Sequence, residues 1–398
     1  MRIIGTMKGS SLLLLLTCLL SLSISRAQTV TASPGAQFSV ITCGPGSELY
    51  ATFGHSAFRF RDPSQGIDWV YNYGTFDFDA PNFYVKFVRG KLPYALSKQR
   101  FENFLYTYQL ENRFVREQLL NLTGSETEAL LHFLEQNNQP DNRYYKYDFL
   151  FENCATKIPE VLTKVLGPPL EYSYKHLLEA RSFRDLIQDN LYWNSWSSFG
   201  IDLALGAVID RKATGSEFSF LPKYVEQQVE NASLDDHALG GRKRPILELT
   251  APASHAVFTA TPLFWMLLVL GITLVITWID YRNQTRSKVL DFLLFFTTGV
   301  AGCVLLFLWF FTDHTATAWN ANLLWAFPLN LLPAFGVWSR LSGRPGKRKY
   351  LILLLVLLAL CTGLWLFGVQ VFSPVVLPLW GALILRYMYL IHMEKNSL

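Results

Sequence analysis

Charge is scarce in this chain. Asp, Glu, Lys and Arg make up 17% of its 398 residues, against roughly 25% in an average soluble domain. The shortage is uneven: charged and aromatic residues mix up to about Leu263, and beyond it long apolar runs alternate with short polar loops. A net charge of +4 is too small to attract a nucleic-acid backbone, which argues against that class of partner. Cysteine is scarcer still, five in all, and rules out a disulfide-dense scaffold. No His, Cys and carboxylate cluster has ligand spacing, so neither a metal nor an organic cofactor is expected. Internal repeats and low-complexity tracts are missing too, which leaves an ordinary folded part followed by a membrane part.

The N-terminus reads as an export signal. Arg2 and Lys8 give a basic start, Leu12 to Leu22 an apolar stretch, and Ser25-Arg26-Ala27 a small-x-small cleavage site. The apolar stretch is shorter than the ~20 residues of a spanning helix, which favours a cleaved signal over an anchor. Residues 1–27 are therefore the signal, 28–250 an exported domain and 260–393 a transmembrane bundle of about five helices. The expected spans lie near Leu263–Ile279, Val289–Phe311, Leu323–Trp338, Tyr350–Val371 and Val375–Ile391. Arg282, Arg286 and Lys288 follow the first span, and Arg340, Arg344, Lys347, Arg348 and Lys349 follow the third. The loop after the second, Thr312 to Asn322, has neither Lys nor Arg. Positive loops stay inside, so the chain is expected to be a multi-pass protein of the inner membrane with its N-terminal domain on the periplasmic face.

In the exported part, Phe38 to Thr42 reads as a strand ended by Cys43-Gly44-Pro45-Gly46. His55 to Arg61 alternates, with His55, Ala57, Arg59 and Arg61 on one face and Ser56, Phe58 and Phe60 on the other. Ile67 to Tyr73 is a further strand, closed by Gly74. Ser125 and Glu128 have capping-box spacing before the helical pattern of Ala129 to Leu134. The apolar spacing from Cys154 to Leu166 suits a helix with Pro159 in a distorted first turn. The polar segment 231–244 reads as the close of the exported part.

Two residues can do chemistry together. Cys154 at a helix start sits among unpaired amide donors and the positive end of the dipole, which favours thiolate. His55 at a strand mouth would serve as its base if the fold brings the two together. Each alone is weaker: a strand histidine is often structural, a free cysteine is often a small buried hydrophobe, and Cys43 with Cys154 could instead form a disulfide.

The residues FGHSAFRF (Phe53 to Phe60), VYNYGTFDF (Val70 to Phe78) and ENCAT (Glu152 to Thr156), with the polytopic tail, resemble the bacterial lipoprotein N-acyltransferase Lnb family over nearly the whole mature chain. That resemblance implies an α+β fold related to permuted papain-like (NlpC-type) cysteine enzymes, with an antiparallel sheet and helices and the histidine strand before the cysteine helix. It makes Cys154 the nucleophile and His55 the general base and acid. A third group would orient His55; Asn72 and Tyr73 are the candidates, and Asn153 either caps the helix or supports an oxyanion. The implied reaction moves a fatty acyl chain from a membrane phospholipid through a Cys154 thioester to the amine of a diacylated lipoprotein, with the bilayer as a third partner. An envelope cysteine peptidase or amidase and a non-enzymatic membrane scaffold are the alternatives. Lys86, Arg89 and Lys91 among Phe83, Tyr84, Phe87 and Tyr94 suit a surface resting on lipid headgroups, as does the patch Tyr192, Trp193, Trp196 and Phe199; buried core explains both equally well. His314 lies on the exported side in a loop, where a structural histidine is the simpler reading.

Overall fold

The computed structural model describes residues 31–248, 257–336 and 343–396. The signal segment, the boundary at 250 and the end of the third span at Trp338 lie outside the described residues. Three strands fall where alternation puts them: β1 (Gln37–Cys43), β2 (His55–Asp62) and β3 (Ile67–Thr75). They are joined by β4 (Pro93–Arg100), β5 (Val115–Leu120) and β6 (Tyr144–Lys146). A small separate sheet holds β7 (Leu170–Tyr172), β8 (Ala232–Leu234) and β9 (His237–Ala238), and β10 (Gly240–Leu247) returns to the large one. The large sheet is antiparallel with order β10-β5-β1-β2-β3-β4-β6. The polar segment 231–244 thus does not trail away; its second half is an edge strand against β5, where Pro245 is tolerated.

Both faces of this sheet are covered, which is why β2 is buried along nearly its whole length. On one face Phe38, Val40, Phe58, Phe60, Tyr71 and Tyr73 pack in one cluster with apolar residues of α3 (Gly124–Asn137), α4 (Lys157–Leu166) and α7 (Pro222–Glu230). On the other, Ile41, Cys43, Ala57 and Val70 meet Phe101, Phe104 and Tyr108 of α2 (Phe101–Leu110). Arg59, expected on the face of His55, is buried there: its guanidinium lies 3.5 Å from the Phe101 ring centre and pairs with Asp68 and Glu117. The remaining helices of this part are α1 (Phe83–Val88), α5 (Phe183–Gln188) and α6 (Trp196–Ala204). The capping box of α3 sits two residues before the expected one. Thr123 accepts from the Glu126 amide and Glu126 from the Thr123 amide, while Glu128 takes the Ala32 amide instead. The same S/T-x-x-E spacing occurs in both frames, and the earlier frame starts the helix.

Among the described residues, the C-terminal region has four helices long and apolar enough to cross a membrane. They are α8 (Pro262–Asn283), α9 (Lys288–Phe310), α12 (Gly343–Leu366) and α13 (Leu377–Asn396), with the short α10 (Asn322–Trp325) and α11 (Leu331–Ala334) between the second and third. The third expected span is therefore broken where Pro328 and Pro333 interrupt it. Buried Asn330 bonds Thr298 and Tyr350 there, supplying partners that lipid cannot. At the Lys/Arg-rich end, buried Arg386 clamps Asp280 and Asp291, tying α13 to α8 and α9.

The two parts are stitched at backbone level through the loop after α9. The Asp313 amide donates to the Arg89 carbonyl, and the Asp313 carboxylate pairs with Lys146 at 3.0 Å. The amides of Gly206 and Ala207 donate to Ala316 and Trp319, and Asn320 and Asn322 donate to carbonyls of residues 202–204. A side chain on Gly206 would put its Cβ 1.9 Å from the Ala318 oxygen, so only glycine permits that approach. Behind it Arg184, buried, pairs with both Asp202 and Asp210 at 2.8 Å.

Candidate active site

Cys154 stands in the turn just before α4, and the turn is built by its neighbour. Asn153 accepts from the amides of Ala155 and Thr156 and donates to the carbonyls of Phe149 and Phe220. All the polar atoms of its amide are committed, so it caps the turn and has no donor left for an oxyanion. Pro159 occupies the third helical position, where its missing N–H leaves no intrahelical bond unmade. Opposite the thiol, β3 bends away at Gly74, whose φ is +89° and whose Cβ, if it had one, would lie 3.3 Å from that of Cys154. Glycine there supplies both the backbone conformation and the room.

β2 delivers His55 to this point. The ring shares a hydrogen bond with Cys154 on one side and lies 2.5 Å from Asn72 Oδ1 through Nε2 on the other. Strand parity chooses between the two candidate orienters. Tyr71 pairs with Phe58, so Tyr73 shares the Phe58 face and Asn72 the face of Ala57 and His55. Tyr73 points into the α3 side, where its hydroxyl bonds Asn137, and it does not reach the histidine.

The electrostatics of the pair are mutual. Burial alone would pull the His55 imidazolium down, but the adjacent Cys154 charge, the bond to it and the bond to Asn72 outweigh that and raise its pKa. Burial alone would raise the Cys154 thiol; the His55 charge and hydrogen bond, then the amides of Ser56 and Ala155, bring it below its ordinary value. Both shifts move the pair towards thiolate beside imidazolium, and the two titrate as a unit.

Cys43, the partner of His55 across β1 and β2, is free, as is Cys154, so the disulfide alternative has no bond here. Burial pushes the Cys43 thiol up to about 12, against the pull of its hydrogen bond to Tyr108 and of Arg113. Arg113 is a residue that sequence reasoning missed. It is buried, bonds the Gly44 carbonyl and Glu111, and leaves one terminal guanidinium nitrogen without a partner among the described residues. Its charge also bears on His55, opposing the imidazolium. Nothing in its sequence neighbourhood marks it. His314 lies elsewhere, its Nε2 donating to the Val88 carbonyl at 3.1 Å, and so braces α1. Of the aromatic patch at 192–199, Trp196 donates to the Ala260 carbonyl and Phe199 joins the core of the membrane helices. No group of three or more His, Cys, Asp or Glu that could hold a metal occurs among the described residues.

Two family matches cover most of the chain. The Lnb N-terminal periplasmic domain matches residues 26–188, with His55, Asn72 and Cys154 inside it, and the Lnb transmembrane domain matches residues 253–397. The chain belongs to the Lnb family. Lnb membership makes it an acyltransferase-type membrane protein with a periplasmic N-terminal domain, and the α+β sheet domain followed by apolar helices is the architecture these matches require. No curated protein and no solved structure matches the chain at a significant level.

Proposed function

We propose that this Lnb-family chain is an inner-membrane lipoprotein N-acyltransferase in which Cys154 carries the acyl group, His55 moves the protons and Asn72 orients His55. The observation that carries the reading is the series Cys154–His55–Asn72, in which His55 lowers the thiol pKa, in a chain whose two parts both match the family. The Cys154 thiolate attacks the ester carbonyl of a phospholipid. The C–O bond breaks as the His55 imidazolium protonates the departing lysolipid alcohol, leaving an acyl thioester and neutral His55. The free amine of a diacylated lipoprotein then attacks the thioester carbonyl, His55 takes the amine proton, and Cys154 departs as thiolate. A thioester is more reactive than an ester towards an amine and the amide product is stable, so the first exchange is uphill and the aminolysis draws the overall transfer downhill. The amide of Ser56 acts on the sulfur and is a backbone donor beside the place where charge develops, whereas the Ala155 amide is held by Asn153.

The test is purified protein in phospholipid vesicles with and without a diacylated lipopeptide. Without acceptor, wild-type protein should gain the mass of one fatty acyl group, released by hydroxylamine, and Cys154→Ala should gain none. N-acylated lipopeptide at wild-type yield from Cys154→Ala would end the covalent mechanism. An adduct carrying peptide would instead identify an envelope peptidase or amidase.

A further inference from the structure

Helix α1 has the wrong surface for a water-facing helix. Tyr84 is 79% exposed and Val85 58%, with Phe87, Val88 and nearby Phe78 also open. Its position explains what covers it. The loop immediately after α9 holds it by two bonds, His314 to the Val88 carbonyl and the Asp313 amide to the Arg89 carbonyl. Helix α9 is a membrane span that ends at Phe310, and the chain rises only about 1.5 Å per helical residue, or about 3.3 Å if extended. The bonded residues thus lie within about 13 Å of the end of a spanning helix, near the height of the headgroups. Lys86, Arg89 and Lys91 sit among and beside the apolar residues, and Arg89 and Lys91 both act on Asp313, so cations crowd the place where phosphates begin.

An aromatic series runs inward from this surface. Phe87 stacks on Phe83 with ring centres 6.1 Å apart, Phe83 meets Phe76 at 5.9 Å, Phe76 meets Tyr94 at 5.2 Å, and Tyr94 stacks on Tyr147 at 4.2 Å. Tyr147 is close enough to Cys154 for the thiolate charge to raise its pKa, after burial, the larger cause. β3, the strand that precedes α1, ends one residue after Gly74, which lies against the Cβ of Cys154.

We propose that α1 is seated in the exported leaflet and that Phe87, Phe83, Phe76, Tyr94 and Tyr147 form the port by which the acyl chain of a phospholipid from that leaflet reaches Cys154. The rings provide an apolar wall from bilayer to thiol, and Lys86, Arg89 and Lys91 hold the phosphate at the surface while the ester is drawn in. This rests on the acyl-transfer reading for its purpose but not for its geometry, so the test begins with a protein that cannot react. Cys154→Ala protein is reconstituted in vesicles containing phosphatidylethanolamine with a diazirine near the end of one acyl chain, irradiated, and mapped by peptide mass. Crosslinks should fall on residues 76–94 and on Tyr147 as well as on the spanning helices. Crosslinks confined to the spanning helices would overturn the port, and a crosslinked dimer of the chain through α1 with no lipid on it would assign the face to a second copy. In the reactive protein, Val85→Asp with Phe87→Asp should cut acyl transfer from vesicle lipid at least tenfold while iodoacetamide still alkylates Cys154 at the wild-type rate. Transfer at the wild-type rate would also overturn it. Should that double variant lose the alkylation as well, it has misfolded and the crosslinking result decides. Lipid crosslinked at the port in a wild-type protein that forms no thioester would keep the port and remove the acyl-transfer reading instead.

Discussion

Replacing Asn72 by alanine separates the proposed orienting role from simple strand packing. Its Oδ1 lies 2.5 Å from His55 Nε2, and a hydrogen bond to a charged group contributes roughly 1.5–3 kcal/mol. At about 1.4 kcal/mol per decade, the proposed role predicts a loss of roughly 10- to 100-fold in kcat/KM for acyl transfer to a diacylated lipopeptide. Most of that loss is orientation, because neutral His55 with its proton on Nε2 also makes the bond. The remainder is titration. The reactive pair is thiolate with imidazolium, so activity rises as Cys154 ionises and falls as His55 deprotonates. Asn72 is one of the groups that raise the His55 pKa, and its loss should move the alkaline limb of the pH profile to lower pH. Asn72→Asp should move that limb the other way, since a carboxylate favours the imidazolium more, and should recover part of the rate. The assay is initial rate against pH, with circular dichroism and Cys154 alkylation as controls for folding. A folded Asn72→Ala protein with wild-type rate and an unmoved alkaline limb would refute the orienting role.

Three further outcomes follow from the geometry. Gly74→Ala forces a side chain into a left-handed backbone position at 3.3 Å from Cys154 Cβ; it should cost about 1–3 kcal/mol of stability and lower acyl transfer by roughly 10- to 100-fold, and full activity would show that the thiol position is not critical. Iodoacetamide at mildly acidic pH should modify Cys154 faster than a free thiol and leave Cys43 untouched, and in His55→Ala that reactivity should shift to alkaline pH because the group opposing burial is gone; labelling of Cys43 first would contradict this. Arg184→Met leaves Asp202 and Asp210 buried without their cation, which should destabilise the exported domain by about 3–5 kcal/mol in thermal or denaturant unfolding, and a change under about 1 kcal/mol would mean the carboxylates find other partners.

The legible parts of the fold were those written in a period. β2 and β3 could be placed because alternation and their bounding turns need no partner strand to be seen. β10 could not, because GGRKRPIL carries charge on an edge and its pairing to β5 spans over a hundred residues of chain. The third membrane segment read as a span by composition, whereas the structure breaks it at its prolines and repairs it with Asn330, Thr298 and Tyr350. At the site, the types of His55 and Cys154 and the character of their local elements could be read directly. The choice of Asn72 over Tyr73 required the register with β2, which adjacent residues on one strand do not reveal. Arg113 was invisible because its burial and its unmatched nitrogen arise from the loop folded over it, with Gly46 against its side chain.

The stitching of the loop after α9 to α6, α1 and the residues around β6 has a kinetic meaning. Backbone bonds at Gly206, Ala207 and Arg89, with the amides of Asn320 and Asn322, hold the domain bearing Cys154 at one altitude over the bilayer. A thiol at fixed altitude samples an area, not a volume. For lipid-anchored reactants its turnover would be governed by their surface density, so diluting the vesicles in buffer should leave the rate per enzyme unchanged. Diluting the donor with a non-reactive ether lipid in the same membrane should lower it in proportion.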